Sequence, residues 1–255
     1  MKKTLFVTAL FAALSGVAHA DTSVTLYGLI DTGVGFQRIK GNDGYKESKV
    51  GMTNGVSSGS RWGLRGAEDL GDGLSAVFTL ESGFNSANGQ SGQSSRLFGR
   101  QATVGLKSDS WGLLEFGRQT NIASKYFGAI DPFGASYGQA NVGAAFGAAN
   151  TVRHDNMVQY STPSFGGFQV GLGYSFNVAD TTAAQTGFKT ADNTRAITAG
   201  VRYVNGPLNV ALSYDQLNLA NQVAGANDSS PKQWIIGGSY DFEAVSYTHL
   251  RAHET

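Results

Sequence analysis

The sequence lacks the residues on which small secreted scaffolds and many active sites depend. Its 255 residues include no cysteine, and residues 21–243 contain one histidine, His154. The missing cysteines exclude a disulfide scaffold, a thiolate zinc site and a cysteine nucleophile. One histidine is too few for a multi-histidine metal site, and no histidine-based triad is evident. We therefore expect no cofactor, no metal and no enzymatic activity.

Charge bias and long apolar runs are also missing. The 19 basic and 19 acidic residues balance, so no overall field favours nucleic acid, and no nucleic-acid partner is expected. After residue 20, no segment approaches the ~20 consecutive apolar residues of a transmembrane helix. Glycine, in contrast, is abundant at 35 residues. This composition fits a β-protein, and it does not separate a soluble one from a β-barrel in a membrane.

The first twenty residues have the pattern of a cleaved signal peptide. Lys2 and Lys3 precede an apolar run from Thr4 to Gly16, and Ala18-His19-Ala20 has the small residues of a cleavage site. The run is too short for a comfortable membrane anchor. The chain is therefore predicted to be exported from the cytoplasm, with a mature sequence that begins at Asp21.

Alternation of apolar and polar residues dominates the rest of the chain. In Phe168–Asn177, for example, every second residue from Phe168 to Phe176 is apolar. This period of two indicates β-strands with one apolar face, and helical periodicity is nearly absent. We predict about ten strands: one from Thr22, Arg61–Gly66, one from Leu74, Arg100–Leu106, Leu113–Gly117, Met157–Ser161, Phe168–Asn177, one around Ile197–Tyr203, Leu208–Asp215 and Gln233–Phe242.

The connections between these strands alternate between short and long. Short turns join one end of the strands, and long segments rich in Gly, Asn and Ser join the other. This asymmetry is typical of an up-and-down transmembrane β-barrel, which has tight periplasmic turns and long outer loops. Aromatic residues at strand ends, such as Tyr203 and Tyr240, fit the aromatic girdles of such a barrel. The predicted long connections are Arg38–Gly59, Asn85–Gly99, Asn121–Thr151, Asn177–Asn193 and Asn218–Pro231.

An ordered set of motifs gives the chain a family resemblance. Each motif alone is weak, but in this order and spacing the chain resembles the general trimeric porins of Gram-negative bacteria, of the β-proteobacterial type. The resemblance covers residues 1 to about 243. The motifs are Val24-Thr25-Leu26-Tyr27-Gly28, Ser60-Arg61-Trp62-Gly63-Leu64-Arg65-Gly66, Glu68-Asp69-Leu70-Gly71, Phe78-Thr79-Leu80-Glu81, Arg100-Gln101-Ala102-Thr103-Val104-Gly105-Leu106, Phe116-Gly117-Arg118-Gln119 and Pro163-Ser164-Phe165-Gly166-Gly167-Phe168.

The resemblance implies a 16-stranded barrel that assembles as a homotrimer in outer-membrane lipid. It also implies passive diffusion of small hydrophilic solutes and ions, and a third outer loop, here Asn121–Thr151, that folds inward. Residues 21–243 are interpreted as part of such a barrel. Residues 244–255 match no porin strand and resemble the read-through of a sequencing adapter, so we expect them to be an artefactual tail.

Charged residues on the inward phase of the strands are the candidate pore residues. Alternation points Arg61 and Arg65 into the lumen, and the resemblance places Arg61 and Arg100 in a basic cluster opposite the third loop. Alternation from Gln159 also turns Arg153 and Asp155 inward. An alternative for each arginine is a solvated charge or a salt bridge with Glu81 or Glu115. Arg118 falls in the outward phase and is predicted to be a rim or subunit-contact residue.

The third loop is expected to supply the opposite wall of the pore. Asp131 is its only carboxylate. Several arginines facing one aspartate predict a positive local field, and therefore a mild anion preference that salt weakens.

Two other functions are alternatives to a channel. A surface-binding β-protein, such as an adhesin, would share the strands and the export signal, and would project the third loop outward. Asp31-Thr32-Gly33 spells the aspartic-protease triplet, but that chemistry needs two carboxylates sharing a proton and the chain has one copy. A turn or strand-end aspartate is the better interpretation.

Overall fold

The computed structural model describes residues 23–137, 140–180, 193–220 and 230–243, and the backbone of residues 246–254. The predicted signal peptide lies outside the described residues. Within them the chain forms thirteen β-strands and a few short helical turns. The strands are β1 (Ser23–Leu29), β2 (Thr32–Lys40), β3 (Lys46–Asn54), β4 (Arg61–Gly71), β5 (Leu74–Gly83), β6 (Gln101–Ser108), β7 (Gly112–Thr120), β8 (Arg153–Ser161), β9 (Phe168–Ser175), β10 (Arg195–Asn205), β11 (Leu208–Asn218), β12 (Lys232–Asp241) and β13 (Ser246–Glu254).

Eleven of these strands form one antiparallel sheet. Its order is β1-β4-β5-β6-β7-β8-β9-β10-β11-β12-β13, so that sequence neighbours are spatial neighbours throughout β4 to β13. This is the up-and-down connectivity predicted from the sequence. The sheet is open, with β1 and β13 at its two edges. Unpaired edges are unfavourable in lipid because their N–H and C=O groups lack water to bond with.

The remaining strands, β2 and β3, form a separate hairpin, whereas the sequence predicted the beginning of β2 as a continuation of the first strand and missed β3. Residues from Arg38 to Gly59 were predicted to be a loop, and this was wrong, because β2 continues to Lys40 and β3 runs from Lys46 to Asn54. The two strands pair in unbroken register from Thr32–Asn54 to Lys40–Lys46. Side chains in β3 are mostly polar, so apolar alternation is weak there. Main-chain pairing, which does not depend on the side chains, defines this hairpin.

The two faces of the large sheet differ as the alternation predicted. On β10 to β12 one face is buried at Ala196, Thr198, Ala211, Ser213 and Ile235. The other face exposes large apolar side chains, as expected for a surface that meets hydrocarbon. Its exposed residues include Val104, Phe116, Leu172, Val201, Leu212 and Ile236.

Aromatic side chains on the outward face lie in two rows. In one row Phe168 contacts Tyr203, with ring centroids 4.5 Å apart, and in the other Tyr174 contacts Phe176 at 4.9 Å. Phe168 and Tyr174 pair with residues 203 and 197 of β10, six residues apart. Six residues of a strand span roughly 20 Å. This separation suits the two interfaces of an outer membrane, whose apolar band is ~25 Å tall.

The segment between β7 and β8 folds against the buried face of the sheet. It contains the helix Ile122–Phe127, the short turn Val142–Ala145 and the 3₁₀ turn Gly147–Ala149. We call the described residues 121–137 and 140–151 loop 3, and its first helix, Ile122–Phe127, α1. Loop 3 and the sheet share a core of apolar side chains. Its members are Ile122, Ala123, Tyr126, Phe127, Ile130, Val142, Ala149, Ala211 and Ile235.

Two other features complete the fold. A turn at Gly92–Ser95 has helical hydrogen bonding, although Gln93 and Ser94 have φ values of 50° and 62° in the left-handed region. No helix within the described ranges is long and apolar enough to cross a membrane.

The last strand bears on the predicted tail. The backbone of Ser246–Glu254 pairs with β12. An open sheet edge can pair with any extended segment through its main chain. That residues 244–255 are not porin sequence therefore stays a prediction.

Candidate functional site

Loop 3 identifies the inner face of the sheet. Three of its groups bond to side chains of that face: Ile122 N–H donates to Thr198 Oγ1 at 3.0 Å, Ala148 N–H donates to Gln233 at 2.7 Å, and Lys125 Nζ lies 3.3 Å from Glu115. Strand pairing places Gln159, Gly173, Thr198 and Gln233 in the row that begins at Glu115. The same face continues through β6 and β5 to β4. By this register Arg61, Arg65 and Glu81 share the inner face with loop 3.

Helix α1 packs closely against the inner face of the sheet because glycines, which have no side chain, lie beneath it. A Cβ at Gly171 would lie 2.5 Å from Ile122 Cδ1, and one at Gly200 would lie 2.8 Å from Ile122 Cγ2. Only glycine therefore lets α1 approach so closely. Asn121 caps the helix by accepting from Ser124 N–H at 3.1 Å, and its Nδ2 donates to Asp215 Oδ1 at 2.8 Å. These contacts hold loop 3 against β9 to β12.

Glu81 lies at the centre of a first group of arginines. Its carboxylate accepts from Arg100 Nε at 2.5 Å and from the Tyr27 hydroxyl at 3.0 Å, and it lies 3.8 Å from Arg61 Nε. Tyr27 reaches it across Gly63, where a Cβ would lie 2.8 Å from the Tyr27 ring. We call Arg61, Arg65, Arg100 and Arg153, with Glu81, the Glu81 cluster.

The other two arginines of this cluster lie beside that core. The Arg65 guanidinium lies 5.5 Å from the centre of the Tyr27 ring, as a cation–π contact. Arg153 Nε donates to the Arg100 carbonyl oxygen at 2.8 Å, and its Nη1 donates to the Thr151 carbonyl at 3.1 Å. The cluster therefore contains four positive charges and one carboxylate: Arg61 and Arg100 border Glu81, Arg153 borders Arg100, and Arg65 borders Tyr27.

The alternation used to place Arg153 and Asp155 is interrupted by a β-bulge. Gly117 pairs with Met157, but Gln119 pairs with His154, so one residue of β7 opposes two of β8. Asn156, in the bulge, has a φ of 47°. A bulge inserts an extra residue and shifts the side-chain phase beyond it. Simple alternation from Gln159 was therefore the wrong argument for Arg153 and Asp155, although Arg153 does lie beside Arg100.

The bulge creates a second group of arginines, which we call the Asp155 cluster: Arg96, Arg118 and Asp155. Both Arg96 Nη1 and Arg118 Nη1 lie 2.7 Å from Asp155 Oδ1. Arg118 was predicted to be a rim or subunit-contact residue from its outward phase. The structure instead turns its side chain into this ion pair, and its Nε donates to the Gly99 carbonyl at 2.8 Å. Sequence reasoning also missed Arg96, which lies outside every predicted strand.

Asp131 has a different environment from the arginines. Its carboxylate accepts three main-chain N–H groups of its own loop, from Phe133 at 3.0 Å, Ala135 at 2.9 Å and Val142 at 3.0 Å. The residue is buried. No ion pair within the described ranges joins it to an arginine. The geometry therefore gives Asp131 a role in shaping loop 3.

Lys125 brings loop 3 close to the strands that carry the arginines. Its ammonium donates to Glu115 at 3.3 Å and to Gln119 Oε1 at 2.9 Å. Burial lowers the pKa of Lys125, while the carboxylate of Glu115 acts in the opposite direction. Loop 3 therefore crosses the inner face, with α1 on β9 to β11 and Lys125 on β7.

Comparison with known proteins now decides the family. The family described as Gram-negative porin matches residues 7–252. The chain belongs to the Gram-negative porin family. It is 62% identical to an outer membrane porin protein of Bordetella pertussis, over 100% of this chain and 70% of the relative. It is 37% identical to outer membrane porin protein 32 of Delftia acidovorans, over 98% of this chain and 69% of the relative.

A solved structure agrees with this assignment. The anion-selective porin from Comamonas acidovorans superimposes with a TM-score of 0.72 and 31% identity, over 92% of this chain and 68% of that one. The predicted fold class and family are therefore confirmed, and the chain is a porin of the outer membrane. Loop 3 packs against the face of the sheet opposite the exposed apolar side chains, which is the arrangement that the sequence analysis expected of a channel and not of a surface-binding protein.

Proposed function

We propose that this porin forms a homotrimeric channel with a mild preference for anions, set by the Glu81 cluster. The single observation that supports the preference most is the charge balance of that cluster. The cluster contains four guanidinium groups and one carboxylate, and that carboxylate is shared by two of them, Arg61 and Arg100. The remaining positive charge faces the water-filled side of the sheet, where it attracts anions and repels cations.

The expected size of the preference follows from Coulomb's law. One unit of uncompensated charge at ~4 Å from a passing ion is worth about 1 kcal/mol in water. An anion gains this energy and a cation loses it, so the two differ by twice the amount; for an ion that passes about 8 Å away the difference is about 1 kcal/mol, or about fivefold, because 1.4 kcal/mol is a factor of ten. The preference is therefore mild rather than absolute. The anion selectivity stated for the Comamonas acidovorans porin, 31% identical to this chain, is consistent with it.

Loop 3 contributes to the constriction through its shape. Asp131 holds the loop's turn by accepting three N–H groups, so we place it in the constriction as a structural residue and not as a free negative charge. The opposing surface is then mostly neutral. This makes the arginine wall the main electrostatic element of the pore.

Charge reversal at Arg61 tests this assignment. In the porin completed through its C-terminal strands, Arg61→Glu exchanges a positive for a negative charge beside Glu81, a change of two charge units, so the anion-to-cation permeability ratio is expected to fall about 25-fold and to favour cations. The ratio is read from reversal potentials across a planar bilayer under a salt gradient. Arg38→Glu, on the exposed β2–β3 hairpin, is the matched control. Equal effects of the two substitutions would remove Arg61 from the constriction.

The homotrimer is tested separately. The expected result is a mass of three chains for the folded porin in detergent, after subtraction of the bound detergent. A monomer that conducts ions would contradict the trimer and leave the proposed selectivity unaffected.

A further inference from the structure

The Asp31-Thr32-Gly33 motif has a position that neither catalysis nor a simple turn explains. Asp31 lies in the break between β1 and β2, opposite the break between β3 and β4. Its Oδ2 accepts the N–H groups of Ser57 at 2.7 Å and Ser58 at 2.8 Å. Its carbonyl oxygen accepts from Gly55 N–H at 2.9 Å and from Ser60 Oγ at 3.1 Å. One residue therefore organises the whole turn Gly55–Ser60.

The turn Gly55–Ser60 contacts two arginines of the Glu81 cluster. Arg61 Nη1 donates to Ser58 Oγ at 3.1 Å and approaches the Gly59 carbonyl oxygen at 3.4 Å. A Cβ on Gly59 would lie 3.5 Å from Arg100 Nη1, so the Arg100 guanidinium lies against this turn as well. The guanidinium groups of both arginines that share Glu81 thus contact the turn that Asp31 fixes.

We propose that Asp31 is a positioning residue for ion selectivity: by fixing the turn Gly55–Ser60 it aims Arg61 and Arg100 at the ion path. The inference rests on the proposed role of the Glu81 cluster. Fixed charges attract a passing ion most when they stay in one place, because Coulomb energy falls with distance and with exposure to water. A loose turn would release Arg61 from two of its partners.

The proposal predicts an effect opposite in sign to that of the charge itself. If Asp31 acted only as a negative charge near the pore, its removal would make the local field more positive and raise the anion preference. If it positions the arginines, its removal lowers the preference although a negative charge has been lost. The sign of the change therefore separates the two roles.

The experiment compares substitutions at Asp31 in the completed porin. Asp31→Ala is expected to lower the anion-to-cation permeability ratio about twofold, as expected when a guanidinium moves a few ångströms away from passing ions. Asp31→Glu keeps the charge but changes the reach, so it should also lower the ratio. Asp43→Asn removes an exposed carboxylate from the tip of the same hairpin and should leave the ratio unchanged. A ratio that rises in Asp31→Ala, or that stays at the wild-type value in Asp31→Glu, would overturn the proposal.

A second variant keeps the test valid if Asp31→Ala does not fold. Ser58→Ala removes one hydroxyl contact to Arg61 and changes no charge. It should lower the permeability ratio in the same direction, and a wild-type ratio would contradict the proposal. Wild-type porin without any anion preference would instead refute the proposed function, so the two failures are distinguishable.

Discussion

Two carboxylates of this chain each hold two arginines, and they do so in different ways. Asp155 accepts on both oxygens: Arg96 and Arg118 bond to Oδ1, while Arg96 and the Asp180 N–H bond to Oδ2. Glu81 accepts from one arginine and one tyrosine, and Arg61 lies farther away at 3.8 Å. The side chain of Asp155 is 8% exposed and that of Glu81 is 15% exposed.

The partners of the two carboxylates also differ in their places in the chain. Asp155 joins three separate segments: the connection that carries Arg96, strand β7 with Arg118, and the segment after β9 with Asp180. Arg61 and Arg100, at the start of β4 and just before β6, border Glu81 on β5. We therefore infer that the Asp155 cluster stabilises the contacts among these three segments. The Glu81 cluster provides the electric field that passing ions experience. The first should govern stability, and the second should govern ion selectivity.

The largest expected effect is on stability, at Asp155. Asp155→Asn leaves two guanidinium groups without their counter-charge, and breaking a buried pair is strongly destabilising. Because the Arg96 and Arg118 side chains are 28% and 17% exposed, solvent screens part of this loss, and about 2 kcal/mol is expected. Urea unfolding of the completed porin measures it, and the permeability ratio should change less than in the matched substitution at Glu81. A change of selectivity larger than that of the Glu81 variant would contradict the division of roles between the two clusters.

The matched substitution at Glu81 should show the reverse pattern. Glu81→Gln removes the only carboxylate of its cluster and leaves Arg61 and Arg100 in place. The anion-to-cation permeability ratio is expected to rise about threefold, somewhat less than the effect of a full unit charge close to the ion path. The free energy of unfolding should fall less than in Asp155→Asn. A greater loss of stability at Glu81 than at Asp155 would contradict the division of roles.

The smallest expected effect is that of salt concentration on the anion preference, and it also distinguishes the two clusters. Raising the salt concentration from about 0.1 M to 1 M shortens the Debye length from ~10 Å to ~3 Å. The anion preference should then fall about twofold, because ions in the pore see the arginines through a screening solution. The stability difference between Asp155→Asn and wild type should change less, since the Asp155 pairs are buried. Salt-independent selectivity would indicate that pore width, and not charge, determines it.

Much of this fold could be predicted from the sequence because its main signal is local. Alternation of apolar and polar residues gave β9 and β11 within three residues of their observed ends. The β3 strand was missed because Lys46–Asn54 has few apolar residues to alternate. Main-chain pairing with β2 defines β3, and no alternation of apolar and polar side chains indicates it.

The site was predictable only in part, for a similar reason. Arg61 and Arg65 lie in the part of β4 that pairs with β5 without a register shift, so their phase gave the correct face. Arg118 and Asp155 lie in the bulge together with Asn156, and the glycine that accompanies it is Gly117, with a φ of 120°. Glycine is common in this chain, so that residue was not informative. The contacts of Asp31 and Asp131 depend on how connecting segments fold, which alternation does not describe.

The central claim is that the Glu81 cluster gives this porin an anion preference. The most direct test is the reversal potential of single wild-type channels, completed through their C-terminal strands, across a planar bilayer with a tenfold potassium chloride gradient. We predict stepwise openings and a reversal potential of the sign that chloride permeation produces, which shrinks as total salt rises. A reversal potential at zero, or of the sign that potassium produces, would contradict the claim.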